Sequence, residues 1–395
     1  MSKARGVRAE VVPSMADIAA TAWDACANPD AAVFNPFVAH GFLKALEDAG
    51  SVGARAGWAP RHLVLKNERD DIIGCAPCYA KSHSQGEYVF DHSWADAYAR
   101  AGGSYYPKLQ IAVPFTPVPG RRLLVQPGPE AEATQLQLAA AATALAGRNG
   151  VSGVHITFLS EGEWARLGAH GFLQRTDQQF HWHNEGYATF DDFLASLASR
   201  KRKAVRKERE QAASGGISIE WIRGRDITEA HWDAFFAFYM DTGSRKWGRP
   251  YLNRKAFSLI GAAMGEHCLL VIAKRNDRAI AGSWHMIGGD CLYGRYWGAI
   301  EHHPCLHFEL CYYQAIEFAI QHRIARAEAG AQGEHKLARG YLPTKTYSAH
   351  YIADPALRRA IADYLVRERA YVDAASEELA EFAPFRKTPI KLDQP

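Results

Sequence analysis

A β-hairpin pattern occurs twice in this chain, and no other pattern narrows the choice of fold as much. Residues 61–79 read RHLVLKNERDDIIGCAPCY, and residues 268–286 read CLLVIAKRNDRAIAGSWHM. Each stretch has an apolar strand, a polar turn with Asn or Asp, and a second strand, which is typical of a hairpin. When Gly74 is set against Gly282, strands and turn coincide at a spacing of about 208 residues. We therefore expect two copies of one structural module.

Similar segments flank the two hairpins. Hydrophobic periodicity predicts helices over 37–49 and 131–148 and a strand over 154–159 around the first hairpin, and helices over 227–239, 254–264 and 306–324 with strands over 291–299 and 325–329 around the second. Both halves therefore read helix, hairpin, strand, helix, strand. This order predicts an α/β (α+β) fold with two tandem modules.

Length and composition agree with a folded, intracellular protein. A chain of 395 residues suits two domains better than one. Hydrophobic residues make up 48% and charged residues 23%, as in ordinary globular proteins. The N-terminus lacks the apolar run of a signal peptide, and no stretch approaches the roughly 18 apolar residues of a membrane span. We therefore expect a cytoplasmic protein without an integral membrane segment.

The cysteines do not suggest a disulfide framework. Their number is odd, seven, and they are scattered along the chain, which favours reduced and mostly buried thiols. Cys75 and Cys78 form a CxxC pair, but no second pair or CxxH accompanies it. Strand packing is favoured there over a zinc or redox site.

A basic segment separates the halves. Residues 191–213 read DDFLASLASRKRKAVRKEREQAA, and two glycines follow, so one long helix is expected to join 1–190 to 217–395 over 191–216. Its charge would attract a polyphosphate such as RNA, whereas Glu208 and Glu210 favour a merely solvated face. The residues expected to bind phosphate or RNA are Arg200, Arg202, Lys203, Arg206 and Lys207.

The richest polar segment follows the predicted strand 325–329. Residues 328–350 read EAGAQGEHKLARGYLPTKTYSAH, so a strand opens into a polar loop, and ligands bind at such loops in α/β folds. Carboxylate and imidazole groups there can accept a proton from an amine, and cations can hold an anion or oxyanion, as acyl transfer requires. The expected catalytic residues are Glu328, Glu334, His335 and Lys336. A structural role is the alternative for each.

Residues elsewhere are expected to line the substrate cleft. Arg295 and Trp297 alternate with Tyr296 along a strand, so one face should be core and the other cleft. An aromatic-rich segment over 90–122 contains prolines that preclude a regular helix, and it could line a groove. The residues expected to contact substrate are Arg295, Trp297, Glu309, Gln332, Arg339, Tyr341, Tyr106 and Lys108.

The residues 302–307, HHPCLH, present a further choice. Three histidines and a cysteine suggest metal binding, but no partner spacing matches a zinc pattern. The alternative is a helix start whose backbone N–H groups meet a phosphate or carboxyl oxygen. No metal is therefore predicted.

Several motifs together resemble a known bacterial family. SRKRKAVRKER, GRYWG at 294–298, LHFELCYYQAIEFAI at 306–320 and GAQGEHKLARGYLP at 330–343 are similar to the Fem-like predicted N-acyltransferases, relatives of the Fem-type peptidoglycan aminoacyltransferases. The resemblance implies two GNAT-like modules. It places the Fem motif on Glu328, Gly330, Gly333 and Lys336, with His335 where Phe is expected.

The resemblance also bears on the donor. It implies aminoacyl-tRNA or acyl-CoA as acyl donor, with no tightly bound cofactor. The sequence IEHHPCLHF after residue 299 lacks the acetyltransferase pyrophosphate loop, which weakens acetyl-CoA, and the helical tRNA arm of larger Fem enzymes is absent. The basic segment would be its only remnant, so tRNA is a candidate partner.

These observations favour an acyl- or aminoacyltransferase that forms an amide on an amine acceptor. The acceptor would be a small molecule or peptide, such as a peptidoglycan precursor or related metabolite. Two alternatives stay open: a non-catalytic module that binds peptidoglycan fragments or nucleotide, and a protein that mainly binds RNA.

Overall fold

A computed structural model of the chain describes residues 6–246, 250–330 and 333–386. The strands are β1 (Arg8–Val12), β2 (Trp58–Pro60), β3 (His62–Lys66), β4 (Ile72–Ala76), β5 (Cys78–Lys81), β6 (Lys108–Ile111), β7 (Leu124–Val125), β8 (Gly153–Leu159), β9 (Leu173–His183), β10 (Ile217–Arg223), β11 (Cys268–Arg275), β12 (Arg278–Ile287), β13 (Cys291–Ala299), β14 (Arg326–Glu328) and β15 (Leu342–Ile352).

The helices alternate with these strands. They are α1 (Ala20–Ala27), α2 (His40–Asp48), α3 (His92–Arg100), α4 (Ala131–Asn149), α5 (Glu161–Ala169), α6 (Phe190–Ser196), α7 (Ser199–Ala212), α8 (Glu229–Lys246), α9 (Arg254–Met264), α10 (Leu306–Phe308), α11 (Gln314–Gln321) and α12 (Pro355–Glu381). A π-helical turn, Glu309–Tyr313, joins α10 to α11, and Glu334–Arg339 forms a short 3-10 helix.

Two sheets organise the chain. The smaller has the order β1-β3-β4-β7, and the larger has the order β10-β11-β12-β13-β14-β9-β15-β8-β6-β5-β2. Within the larger sheet, β6 runs parallel to β8 and β13 runs parallel to β14, while the other neighbours are antiparallel. In each half of the larger sheet, a series of antiparallel strands ends in one parallel pair, β6 with β8 or β13 with β14. The predicted α/β fold with two similar modules is confirmed.

The two hairpins show the predicted repeat in detail. β3 pairs with β4 and β11 pairs with β12, and each pair has a register irregularity, after Leu65 in the first and after Ala273 in the second. Leu65 and Ala273 are separated by the same number of residues as Gly74 and Gly282, on which the two hairpin sequences were aligned. The second turn is tighter, because Asn276 and Asp277 both have positive φ, as a two-residue type I′ turn requires.

The modules share strands in the centre of the larger sheet. β15, from the C-terminal half, lies between β8 and β9 of the N-terminal half, and β9 in turn pairs with β14. The ladder between β9 and β15 runs from the pair Leu173 and His350 to the pair His181 and Leu342. The division into 1–190, 191–216 and 217–395 stays a prediction, and hydrogen bonds cross it.

The basic segment is two helices and not one. Thr189 caps α6 with a capping box to Asp192, and the chain becomes extended at Leu197 and Ala198 before α7 begins. α7 buries Val205 and Ala212 against the C-terminal module. The prediction of a single helix over 191–213 was therefore wrong.

Three other segments differ from the sequence-based expectation. α3 precedes the prolines that exclude helix from the rest of 90–122, so that segment is partly helical. The second half of the loop expected over 328–350 is the long strand β15. α12 begins at Pro355 behind an Asp354 cap, a start signal that the sequence analysis did not use.

The two faces of the central sheet differ in polarity. Leu109, Ile111, Val154, Ile156 and Ala349 are buried in one apolar cluster with residues of α4. Their alternating neighbours on the same strands point to the other face. Those neighbours are polar and also buried: Lys108, Gln110, His155, Thr157, Ser348 and His350.

Because β15 completes the N-terminal module, residues 1–190 alone would leave the edges of β8 and β9 unpaired. We expect this fragment to aggregate or unfold when produced alone, and to recover when residues 191–395 are co-expressed as a second chain. Circular dichroism and urea unfolding of the purified material check this. A monomeric 1–190 fragment with a cooperative unfolding transition would contradict it.

Candidate active site

The parallel strands of the C-terminal module part soon after they meet. β13 pairs with β14 only from Cys291 to Tyr293, whereas it continues along β12 to Ala299. The chain after β14 turns away at Gly330, whose φ is positive. A gap therefore opens between the ends of two parallel strands, where α/β folds place ligands.

Glu328, the last residue of β14, lies at the bottom of this gap. Its side chain is 4% exposed, with Arg326 Nε 3.4 Å from one oxygen and His181 Nε2 4.0 Å from the other. Burial raises the pKa of Glu328 to about 7, although Arg326 lowers it. The oxygen Oε2 has no hydrogen-bond partner among the described residues. A buried carboxyl group with a raised pKa therefore lies at the end of β14.

Lys336 lies on the 3-10 helix that follows the gap. It is 2% exposed, and its Nζ donates a hydrogen bond to Gly330 O at 2.8 Å. Burial lowers the pKa of Lys336 to about 7. This amine is therefore partly neutral at physiological pH, and it ties the 3-10 helix to the end of β14.

His335 is exposed beside Lys336 and lies among aromatic rings. Its Nε2 is 2.9 Å from Tyr312 Oη, and its ring centroid is 5.7 Å from that of Phe308 and 6.2 Å from that of His307. The π-helical turn brings Tyr312 to this position. π-helical turns occur mostly as single-turn bulges inside α-helices, and they are frequent at functional sites.

A cavity of about 600 Å³ opens beside these rings. Its walls come from the end of β13, the following loop and α10, with Trp297, His307 and Phe308 on the aromatic side. The crowded residues His302, His303 and Cys305 also line it. Within the part of the chain that the structure describes, no three His, Cys, Asp or Glu side chains converge as a metal site would require.

The remaining predicted substrate residues of this module are mostly committed to protein contacts. Arg295 donates to Phe115 O at 2.9 Å, and Tyr341 is fully buried. Glu309 is buried and accepts bonds from Arg209 and Gln314. Trp297 alone lines the cavity directly. Gln332 and the side chain of Glu334 lie outside the described residues.

Arg339 joins α7 to the segment that carries His335. Its guanidinium bonds Glu208 on α7 through Nε at 3.1 Å and Nη2 at 2.8 Å, and its Nη1 donates to His335 O at 2.7 Å. It also lies 3.4 Å from the centroid of Phe308. The sequence did not reveal Glu208 as the partner of Arg339, because the two residues are far apart in the chain and Glu208 lies among the basic residues of α7.

The corresponding gap in the N-terminal module is filled. β6 and β8 pair only up to Ile111 and Ile156, and beyond them the fully buried Arg122 donates from Nε to Thr157 O at 3.0 Å. Gly120 N donates to the next carbonyl, Phe158 O, at 2.9 Å. The protein itself thus satisfies the carbonyl groups that the parting of these strands exposes.

Lys108, predicted to contact substrate, is the centre of a buried ion network. Its Nζ lies 2.5 Å from Glu87, 2.5 Å from Asp91 and 3.0 Å from Ser84, which uses all three of its protons. Tyr106, also predicted to contact substrate, is half-buried and bonds Ser84 at 2.7 Å. Substrate contact by either residue stays a prediction, but Lys108 has a clear structural role.

The basic face of α7 remains in solvent. Arg200, Lys203, Arg206 and Lys207 are exposed, while Arg202 is half-buried. Arg206 pairs with Asp191 at 3.2 Å. Arg200, Ala338 and Arg339 line the same cavity of about 350 Å³, so the basic face continues into the segment that carries His335.

The fold consists of two similar α/β modules, each with one parallel pair of strands that parts within the larger sheet. A family model described as FemAB-like, peptidoglycan biosynthesis/recognition, matches residues 14–387. The chain belongs to this family. No curated protein sequence matches the chain.

Two solved structures are similar in fold. The crystal structure of FemX is 14% identical with a TM-score of 0.50, over 80% of this chain and 93% of that one. L-PGS from Bacillus licheniformis is 8% identical with a TM-score of 0.50, over 87% of this chain and 96% of that one. Within the described residues, no helix is both long and apolar enough to span a membrane.

Removal of the Lys108 charge is expected to destabilise the protein strongly. Lys108→Met leaves the buried Asp91 without its cation and leaves Glu87 with only the more distant Lys81, 4.0 Å away, which costs on the order of 3–5 kcal/mol of unfolding free energy. Lys345→Met is the matched control, because Lys345 pairs with Asp373 at the surface, where an ion pair contributes only about 0–1 kcal/mol. Urea unfolding measures both. Equal losses in the two variants would contradict the prediction.

Proposed function

We propose that the protein transfers an activated acyl or aminoacyl group to an amine at the open gap of the C-terminal module. The single observation that carries the proposal is the pair of buried groups there, Glu328 and Lys336, both with pKa values shifted to about 7. Enzymes tune general acids and bases toward the working pH in this way. The family membership and the fold support an acyl- or aminoacyltransferase role.

In the proposed reaction, Glu328 accepts a proton from the ammonium group of the acceptor. The freed nitrogen attacks the donor carbonyl carbon, an amide bond forms, and the ester or thioester bond to the carrier breaks. The nitrogen loses a second proton as the amide forms, and the leaving alkoxide or thiolate takes up one proton to become a hydroxyl or thiol. The other proton leaves Glu328 for solvent, so atoms and charge balance. Lys336 and the rings around His335 would hold the donor end in place, and the adjoining cavity would receive it.

The acceptor that we propose is an amine of a peptidoglycan precursor or a related peptide. The description of the family, peptidoglycan biosynthesis/recognition, supports this choice. The donor is an aminoacyl-tRNA or an acyl-CoA. The exposed cations of α7 beside the cavity shared with Arg339 favour the tRNA, since a polyanion would follow them to the gap.

The direct test is product formation. The protein is incubated with an amine-bearing peptidoglycan peptide and either mixed aminoacyl-tRNAs or acyl-CoAs, and mass spectrometry detects the mass of one acyl group on the peptide. Binding of the peptide without a mass change under either donor would favour the non-catalytic module instead.

Glu328→Gln is expected to lower the transfer rate by roughly 10²- to 10⁴-fold, as loss of a general base does. Because the carboxylate is the active form and its pKa is raised to about 7, the wild-type rate should rise with pH through about 7. The variant should lack this step while it keeps peptide binding. The control is Glu210→Gln, which changes an exposed carboxylate on α7. A wild-type pH profile in Glu328→Gln would exclude this base.

RNA binding by α7 is tested separately. Lys203 and Lys207 are one helical turn apart and exposed. The charge reversal Lys203→Glu/Lys207→Glu should weaken tRNA binding and reduce the slope of log K against log salt by about 1.5, at roughly 0.7–0.9 per phosphate contact. The control reverses two exposed arginines of α12, Arg359→Glu/Arg367→Glu, which changes the net charge equally. Similar effects of both pairs would argue against a specific RNA surface.

A further inference from the structure

We propose that Glu208 is a positioning residue that fixes the segment carrying His335 through Arg339. The inference rests on the proposed function for its catalytic meaning, but the contacts that carry it are independent of the substrate. Glu208 lies on α7, outside the loop that the sequence motif covers. Glu208 therefore contacts the site from α7, the helix that precedes the C-terminal module.

Arg339 links Glu208 to the backbone of the segment that carries His335. The carboxylate of Glu208 accepts two hydrogen bonds from Arg339, at Nε and Nη2, in the bidentate geometry that gives both energy and orientation. The remaining nitrogen, Nη1, donates to His335 O. With Arg339 only 8% exposed at its side chain, solvent competes little for these bonds. Glu208 thus sets the direction of the guanidinium, and the guanidinium sets the position of the His335 carbonyl.

The ring of His335 is held by the π-helical turn. Tyr312 and Tyr313 are adjacent in the π-helical turn. Tyr312 Oη meets the His335 ring at Nε2, whereas Tyr313 Oη donates to Glu208. A regular α-helix directs consecutive side chains about 100° apart, and here both hydroxyls serve the same segment. His335 is held from two sides, at its ring by Tyr312 and at its carbonyl by the chain of contacts that begins at Glu208.

α7 makes a second contact with the π-helical turn, through Arg209. The neighbouring residue, Arg209, bonds Glu309 in the same π-helical turn and also Glu317 in α11. Two consecutive residues of α7, Glu208 and Arg209, therefore bind it to this turn. The exposed cations of the helix are Arg200, Lys203, Arg206 and Lys207. A polyanion bound to the exposed face would contact the same rigid unit that holds His335.

The test uses the full chain with 15N-labelled histidine. NMR follows the His335 ring signals, which are assigned by their disappearance in His335→Gln. Glu208→Gln removes the charge that orients Arg339 and should shift and broaden the His335 signals. Circular dichroism checks that the variant is folded. The matched control, Glu210→Gln, changes an exposed carboxylate on the same helix and should leave these signals unchanged.

Arg339→Lys is the second variant, in case Glu208→Gln fails to fold. It keeps the positive charge but cannot make the bidentate contact and the bond to His335 O together, so it should shift the same signals. His335 signals that coincide with those of the wild type in the folded variants would overturn the proposal. In a transfer assay, Glu208→Gln should lower kcat about 10-fold or more at an unchanged KM for the acceptor. An inactive wild-type protein would instead refute the proposed function and leave the NMR result to decide the positioning role.

Discussion

The hydrogen-bond ladder between β9 and β15 holds the whole arrangement together. One strand comes from each half, so each module lacks a central strand without the other. The ladder fixes β14 beside β9 and β8 beside β15, and these pairings set where each parallel pair parts. The position of Glu328 at the open gap therefore depends on chain segments more than a hundred residues away. Local sequence around Glu328 cannot create this geometry by itself.

The two modules use the same parting of strands in different ways. In the N-terminal module, Arg122 and Gly120 bond the carbonyl groups that the separated strands expose. In the C-terminal module, Lys336 makes one such bond, to Gly330 O, and an aromatic cavity lies alongside. The two copies of the fold therefore surround the parting strands with different side chains. Arg122 precedes α4 whereas Lys336 follows β14, so these side chains come from different segments of their modules.

Much of the fold follows from local pattern, because hairpins and amphipathic helices carry their period in the sequence. The hairpins, α9 and β13 were predicted with correct bounds or nearly so. The break between α6 and α7 was missed, since Leu197 and Ala198 are good helix formers and only tertiary contacts hold them extended. β15 was missed because its buried polar face, with Ser348 and His350, hides the alternation that marks a strand.

The choice of the segment 328–339 as candidate site rests on a local signal, a polar loop after a buried strand, and its catalytic role stays a prediction. Glu208 and Tyr312 gave no such signal, because their roles depend on distant partners. Lys108 looked like a groove residue for a similar reason: its two carboxylates, Glu87 and Asp91, are ordinary acidic residues until the fold encloses them.

That enclosed network has a consequence for how the family can diverge. An apolar core position tolerates one substitution at a time, because a neighbour can shift to fill a small change in volume. Replacement of Lys108 alone by an uncharged residue leaves the carboxylate of Asp91 in the interior without the cation that it contacts, and replacement of Asp91 alone removes the main partner of that cation. Related chains should therefore either retain both Lys108 and Asp91 or replace both with uncharged residues, and chains that change only one of them should be rare.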